Sequence, residues 1–181
     1  FDDAKKAVFR MLKARGSHLL PRIGVSFALS GINKSEKEDF IKNWKDSVDL
    51  VRINKFISSD EKKIDDKIDL ERVPCELLYN SINIDYKGDV SLCCLDVFIE
   101  EKMGNVFDKG VKNVWLGEAF NKARSDHESG NFNSIKMCRK CDQWANYKFD
   151  EKKKDNYFIR ESAIMTFYNR MDRLNNWETF R

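Results

Sequence analysis

The sequence predicts an α/β fold in which a βαβ unit precedes a small α+β region that carries the cysteines. Two strand-like runs that flank a helix-like run open the chain, and this order is typical of parallel sheets. The stretch Val73–Val97 then reads as a β-hairpin with three of the five cysteines around it. Between the two regions lies the mixed-charge tract 58–72, which is either an open linker or a solvated helix.

The first region is predicted at residues 1–57. A helix over residues 2–15 has an apolar stripe, and a strand of alternating apolar residues follows Pro21. Ser35 and Glu38 match a capping box at the start of the next helix. The run "VDLVRINKF" predicts a second strand, covered on both faces. Two strands cannot form a whole sheet and the chain starts inside a helix, so we expect a fragment of a longer protein.

The second region is predicted at residues 73–150. Gly88 supplies the turn of the hairpin, and Gly104 with Asn105 marks a further turn. A helix is expected from about Val111 to Glu128, followed by a polar loop. The segment 151–181 is expected to be a C-terminal helix. The apolar residues that recur there at helical spacing are Ile164, Phe167, Met171 and Leu174.

Composition argues against a nucleic-acid-binding function and against a membrane protein. The 33 basic and 30 acidic residues are interleaved and leave a net charge of +3, so the sequence predicts no nucleic-acid surface. Neither a membrane span nor a signal peptide is recognisable, and we expect a cytoplasmic protein without membrane contact. Thiols stay reduced in that compartment, where clustered cysteines hold metal more often than they form disulfides.

The spacing of the cysteines predicts that four of them meet. Cys138 and Cys141 form a C-x-x-C pair, which zinc sites, iron–sulfur sites and redox pairs all use. Cys75 precedes the hairpin and Cys93 lies late on its return strand, so antiparallel pairing brings these two together. Adjacent side chains on a strand point to opposite faces, so Cys94 is expected to face away, as a buried apolar residue.

An ordered set of features extends from residue 74 to residue 144. The set consists of Cys75, Gly88 followed after four residues by Cys93, the "MGNV" turn, a helix with Val114, Trp115, Phe120 and Arg124, and the motif "CRKCDQW". It resembles the C-terminal SPASM or twitch region of radical S-adenosylmethionine (radical SAM) enzymes. The resemblance implies an auxiliary [4Fe–4S] cluster bound by Cys75, Cys93, Cys138 and Cys141. No cysteine follows Cys141, so the shorter twitch form with a single cluster is the nearer match.

The resemblance also implies what would surround this region. Residues 1–57 would be the terminal βαβ part of the family's partial (β/α) barrel. The family's C-x-x-x-C-x-x-C motif is absent from this chain. A second [4Fe–4S] cluster and S-adenosylmethionine would therefore belong to a missing N-terminal part, unless the chain is a non-catalytic relic. The implied partners are a sugar, aminocyclitol or peptide substrate and an electron donor such as flavodoxin or ferredoxin.

The main alternative is a zinc ion held by the same four cysteines in a non-catalytic scaffold or interaction module.

Other residues receive simpler interpretations. His127 is expected to interact with a helix dipole, Trp144 to anchor the core, and Asp96 to solvate a strand end. Arg124 could pair with Glu128. Hydrogen bonds to the cysteine sulfurs are expected from backbone amides within "GDVSLCC" and "MCRKC", with Arg139 and Lys140 offsetting the negative charge.

Overall fold

The computed structural model describes residues 1–55 and 68–174. Within them the chain forms two compact units, one that combines residues 1–55 with 149–174 and one that comprises residues 68–148. Most of the predicted linker lies outside the described residues. No helix of the described part is long and apolar enough to span a membrane.

The helices are α1 (Asp2–Arg15), α2 (Lys37–Trp44), α3 (Leu77–Asn80), α4 (Val106–Lys109), α5 (Val111–Trp115) and α6 (Glu118–Glu128). The strands are β1 (Gly24–Leu29), β2 (Leu50–Lys55), β3 (Asn83–Ile84), β4 (Asp89–Ser91), β5 (Lys102–Asn105), β6 (Phe149–Lys154), β7 (Tyr157–Ser162) and β8 (Met165–Arg170). Single 3-10 turns lie at Lys34–Glu36, Lys136–Cys138, Gln143–Tyr147 and Met171–Arg173.

The predicted βαβ unit is present in the first unit. Strands β1 and β2 pair in parallel, and α2 connects them. Strand β2 buries one face only, because Val51 and Ile53 are buried while Arg52 between them is exposed. The predicted capping box is wrong: Ser35 lies inside a 3-10 turn, and no side chain caps α2. The loop is organised by Asn33, whose side-chain amide donates to the carbonyl of Ala28 at 2.9 Å.

The predicted C-terminal helix is also wrong. Strands β6, β7 and β8 form an antiparallel meander that joins β2, which gives a five-stranded sheet of order β1-β2-β8-β7-β6. The segment is rich in aromatic and β-branched residues, which favour strands, and Asp155 adopts a φ of 52° in the tight turn between β6 and β7. The sheet therefore obtains its other three strands from the end of the chain, and a partial barrel is not confirmed.

The second unit contains the predicted hairpin. Strands β3 and β4 pair antiparallel, and β5 adds a third strand beside β4 where the sequence predicted only a turn. The predicted helix over residues 111–128 is divided into α5 and α6 by Gly117, with α4 before Gly110. The hairpin strands are shorter than predicted, since β4 ends at Ser91, and Cys93 and Cys94 lie in the turn that follows.

Gly88 closes the hairpin at a φ of 81°. A Cβ atom there would lie 2.5 Å from Cδ2 of Phe107 and 2.9 Å from the side-chain oxygen of Asn105. We expect Gly88→Ala to lower the free energy of unfolding by about 2–4 kcal/mol, because backbone strain and overpacking add. Gly130→Ala is the matched control, since its φ is 76° and its Cβ would meet nothing within 4 Å. Equal losses for both variants in urea unfolding would show that the contact with Phe107 and Asn105 contributes nothing.

Candidate metal centre

Four of the five cysteines line one cavity in the second unit. Cys75, Cys93, Cys138 and Cys141 all contribute to its wall, and the cavity has about 400 Å³ of space free of atoms, including the part open to solvent. Among the described residues no three His, Cys, Asp or Glu side chains form a group that could hold a single metal ion.

Cys94 differs from the sequence-based expectation. It is exposed, not buried, and it is not part of the cavity wall, whereas Cys93 is only 9% exposed. The prediction assumed a strand at this position. The two cysteines instead occupy a turn, where the alternation of strand side chains does not apply.

A small apolar cluster holds the walls of the cavity together. Each member lies close in sequence to a residue of the wall: Leu78 near Cys75, Leu92 next to Cys93, Ala123 one helical turn before His127, and Ile135 three residues before Cys138. All four members are buried and in mutual contact: Leu78, Leu92, Ala123 and Ile135. Packing of apolar side chains from α3, the end of β4, α6 and the C-x-x-C loop thus assembles the cavity.

Short backbone turns fix the first two cysteines. The carbonyl of Cys75 accepts from the amide of Leu78 at 3.2 Å, at the start of α3. The carbonyl of Cys93 accepts from the amide of Asp96 at 3.0 Å and from the hydroxyl of Ser91 at 3.2 Å. Cys75 is therefore held by the turn that begins α3, and Cys93 is held by the turn that follows β4.

Arg72 anchors the C-x-x-C loop. Its guanidinium donates to the carbonyls of Cys138 at 2.5 Å and Arg139 at 3.3 Å, and it stacks over the ring of Phe132 at 4.4 Å. The Nε atom of Arg72 is buried and has no hydrogen-bond partner among the described residues. No local sequence pattern indicates this role, because Arg72 is the last residue of the mixed-charge tract 58–72.

The cavity disfavours charged thiolates unless a cation is bound. Burial, with the neighbouring cysteine thiols adding to it, raises the pKa of Cys138 to about 12. Burial likewise raises the pKa of Cys75 to about 11 and that of Cys93 to about 12. Because a metal ligand must be deprotonated, any metal bound here has to displace these protons and supply positive charge.

Backbone amides act on three of the sulfurs. The amide of Gln143 donates to Sγ of Cys141 at 3.4 Å. The amides of Leu77 and Leu95 lower the pKa of Cys75 and Cys93 through hydrogen bonds, against the larger effect of burial. Each of these donors lies two residues after its cysteine, outside the stretches "GDVSLCC" and "MCRKC" where donors are expected from the sequence. The N–H groups point to sulfur because each cysteine begins a tight turn.

His127 is buried in the wall of the cavity instead of serving only a helix dipole. Its side chain is 2% exposed, and its Nδ1 atom accepts from the amide of Cys75 at 3.3 Å. The ring packs edge-on against Phe132, with centroids 5.2 Å apart. Burial and the nearby charge of Arg72 lower the pKa of His127. A signal was available, because Phe120, Ala123 and His127 share one buried helix face.

Arg124 donates to backbone carbonyls instead of pairing with Glu128. It donates to the carbonyls of Leu78 at 2.9 Å and Trp115 at 3.0 Å, and so joins α3 to α5. Glu128 instead accepts from the hydroxyl of Tyr79 at 2.7 Å.

Two further expectations can be compared with the structure. Asp96 is buried and accepts from the amides of Glu100 at 2.8 Å and Glu101 at 3.1 Å, so it organises the turn after the cysteine pair instead of solvating a strand end. Trp144 is buried, as expected of a core anchor, and it also lines the cavity.

Comparison with known proteins supports a metal-binding interpretation of this unit. Residues 75–142 match the family model of SPASM, described as an iron–sulfur cluster-binding domain. The matched stretch begins at Cys75 and ends one residue after Cys141.

One relative and the solved structures complete the comparison. An uncharacterized protein of Treponema pallidum (strain Nichols) is 29% identical over 124 residues, which cover 65% of this chain and 33% of that protein. The chain thus spans about a third of the length of this relative. No solved structure matches the chain. Residues 75–142 are therefore similar to the SPASM family, whose model is described as an iron–sulfur cluster-binding domain.

Proposed function

We propose that the second unit holds one auxiliary [4Fe–4S] cluster through Cys75, Cys93, Cys138 and Cys141. The observation that carries this proposal is that these four thiols, far apart in sequence, line a single cavity within the stretch that matches the SPASM model. The remaining cysteine, Cys94, lies outside that wall.

The residues of the cavity fit such a group. Cysteine thiolates are the usual ligands of iron–sulfur clusters, and four of them match the four irons of the cubane. Buried donors surround the thiols: backbone amides already directed to sulfur, and two side-chain N–H positions, on Arg72 and His127, without partners in the described part of the chain. Donors of this kind stabilise the negative charge of a thiolate-bound cluster.

When bound, the cluster would supply a centre for one-electron transfer. Four cysteine ligands occupy the outward position of every iron, so none is left open for a substrate. We therefore favour electron transfer over direct coordination of a substrate. The protein's contribution is to bury the sulfurs, to orient amides toward them and to keep water from most of their surface, which together set the reduction potential.

We further propose that the chain is the C-terminal portion of a radical SAM enzyme. S-adenosylmethionine and a second [4Fe–4S] cluster would then be bound by a part that this chain lacks, since the C-x-x-x-C-x-x-C motif is absent from its sequence. An oxidation of a sugar or aminocyclitol, or a peptide modification, would suit an electron-accepting centre. Flavodoxin or ferredoxin would serve as the electron donor.

Metal analysis tests the proposal against the zinc alternative. A zinc site requires four sulfurs at about 2.3 Å from one ion. For protein purified without oxygen and reconstituted with iron and sulfide, we expect about four irons and four acid-labile sulfides per chain and a brown colour. Colourless protein that contains one zinc and excludes iron would contradict the proposal and support the scaffold interpretation.

A further inference from the structure

The ring of His127 lines the cysteine cavity and has one nitrogen without a hydrogen-bond partner among the described residues. The side chain lines the same cavity as the four cysteines and is almost fully buried. Its Nδ1 atom faces the backbone amide of Cys75 as an acceptor. Nε2, at the other end of the ring, is buried and has no hydrogen-bond partner among the described residues.

The hydrogen bond to Cys75 fixes the tautomer of the ring. A nitrogen that accepts a hydrogen bond carries no proton, so the proton of the neutral imidazole lies on Nε2. Nε2 is then a donor and offers no lone pair to a metal. An unsatisfied donor at a buried position costs free energy, which a hydrogen-bond acceptor bound in the cavity would recover.

The ring cannot turn freely to satisfy Nε2 elsewhere. The amide of Cys75 holds one edge, and Phe132 packs against the ring at an interplanar angle of 88°. Arg72 stacks on the same Phe132 and donates a hydrogen bond to the C-x-x-C loop at Cys138. Phe132 therefore contacts both the ring of His127 and the arginine that holds the loop of Cys138 and Cys141. The orientation of the ring is therefore fixed before anything binds in the cavity.

We propose that the Nε2–H group of His127 donates a hydrogen bond to a sulfur of the cluster held in this cavity and thereby raises its reduction potential. This inference rests on the proposed function. The reduced cluster carries one more negative charge than the oxidised cluster, so a donor stabilises the reduced state more. His127 is a positioning residue in this account and is not a ligand.

A pair of substitutions separates the two ends of the ring. His127→Asn keeps an acceptor near the position of Nδ1 for the amide of Cys75 but removes the donor at the Nε2 position. His127→Gln keeps a side-chain N–H near the position of Nε2. Both are reconstituted anaerobically beside the wild-type chain, and iron, sulfide and the reduction potential are measured, the last by titration followed by electron paramagnetic resonance.

We expect equal iron and sulfide in all three proteins. The potential of His127→Asn should shift negative by about 59 mV, a tenfold change in the one-electron equilibrium, while His127→Gln stays near the wild-type value. An unchanged potential in His127→Asn would overturn the inference, and so would equal shifts in both variants. Loss of iron from His127→Asn would overturn it as well, because the ring would then be needed to hold the cluster.

Isotope labelling gives a second readout. The chain has two histidines, His18 and His127, and His18 belongs to the other unit. Histidine labelled with ¹⁵N should give a weak coupling to the reduced cluster that disappears in His127→Asn, whereas a strong coupling would indicate direct ligation and contradict the inference.

A wild-type chain without iron and sulfide would refute the proposed function itself. An iron-loaded wild type with an unaffected Asn variant would refute only the role of His127.

Discussion

Replacement of Cys93 by alanine is expected to abolish iron–sulfur loading, while the same replacement of its neighbour Cys94 leaves the loading intact. Cys93 is buried in the cavity wall and Cys94 is exposed outside it. Loss of a residue that only supports a ligand typically costs about 10–100-fold in metal affinity, and loss of a ligand costs more. Iron and acid-labile sulfide per chain, measured after anaerobic reconstitution, report the difference directly.

The pair of variants is well matched because the two cysteines are adjacent and the substitution is the same. Alanine at Cys75, Cys138 or Cys141 should reproduce the loss seen at Cys93. Retention of iron in Cys93→Ala together with its loss in Cys94→Ala would reverse the ligand assignment. Thermal unfolding of the metal-free variants checks that the fold survives, since free cysteines contribute to it only as small apolar groups.

A second large effect is expected at Asp49, in the first unit. Its side chain is 1% exposed and accepts from the amide of Ile23 at 2.7 Å, from Nε of Arg173 at 3.0 Å and from the guanidinium of Arg15. Asp49→Asn keeps the size of the side chain but leaves two arginines without their carboxylate. Removing one partner from a buried ion pair costs about 3–5 kcal/mol, and we expect a loss of about 3 kcal/mol in the free energy of unfolding.

Asp46→Asn serves as the control for Asp49→Asn. Asp46 is exposed and accepts from the hydroxyl of Tyr157, so its replacement should cost less than about 1 kcal/mol. Denaturant titration at neutral pH compares the two variants. Equal losses would show that burial of the arginine–carboxylate network adds no stability.

The loss at Asp49 should also depend on pH. Burial raises the pKa of Asp49, but hydrogen bonds from Arg15, Ile23 and Arg173 outweigh it, so the pKa is lowered overall. A carboxylate whose pKa is lower in the folded state contributes its stability above its unfolded pKa of about 3.9 and loses it as the pH falls through the folded value. The difference between wild type and Asp49→Asn should therefore be full at pH 7 and shrink below about pH 4.

Local patterns predicted the elements that depend on local interactions. The alternation of Val25, Phe27 and Leu29 reflects a strand with one covered face, and the structure has β1 at Gly24–Leu29. Gly88 marked the hairpin correctly, because its positive φ is a property of the turn itself. Spacing around this hairpin and the C-x-x-C pair predicts that four cysteines meet, and in the structure all four line one cavity.

The failures occur where distant segments decide the conformation. Phe167 and Met171 recur at helical spacing, but pairing with β2 and β7 makes the segment a strand and a following turn. Arg72 and His127 acquire their roles from contacts far along the chain, with Cys138 and Cys75 respectively, which no local pattern indicates. Aromatic composition and the turn at Asp155 would have favoured strands over a C-terminal helix.

The nesting of one unit within the sequence of the other has a consequence for biosynthesis. Strand β2 emerges from the ribosome early, but its partner β8 follows only after the entire cysteine unit has been made. The cysteine unit can thus fold, and receive its metal, while the sheet still presents an open edge at β2. Long-range strand pairing of this kind is slow and exposes nascent chains to aggregation, so a truncation at residue 148 should yield an insoluble product even though every cysteine is retained.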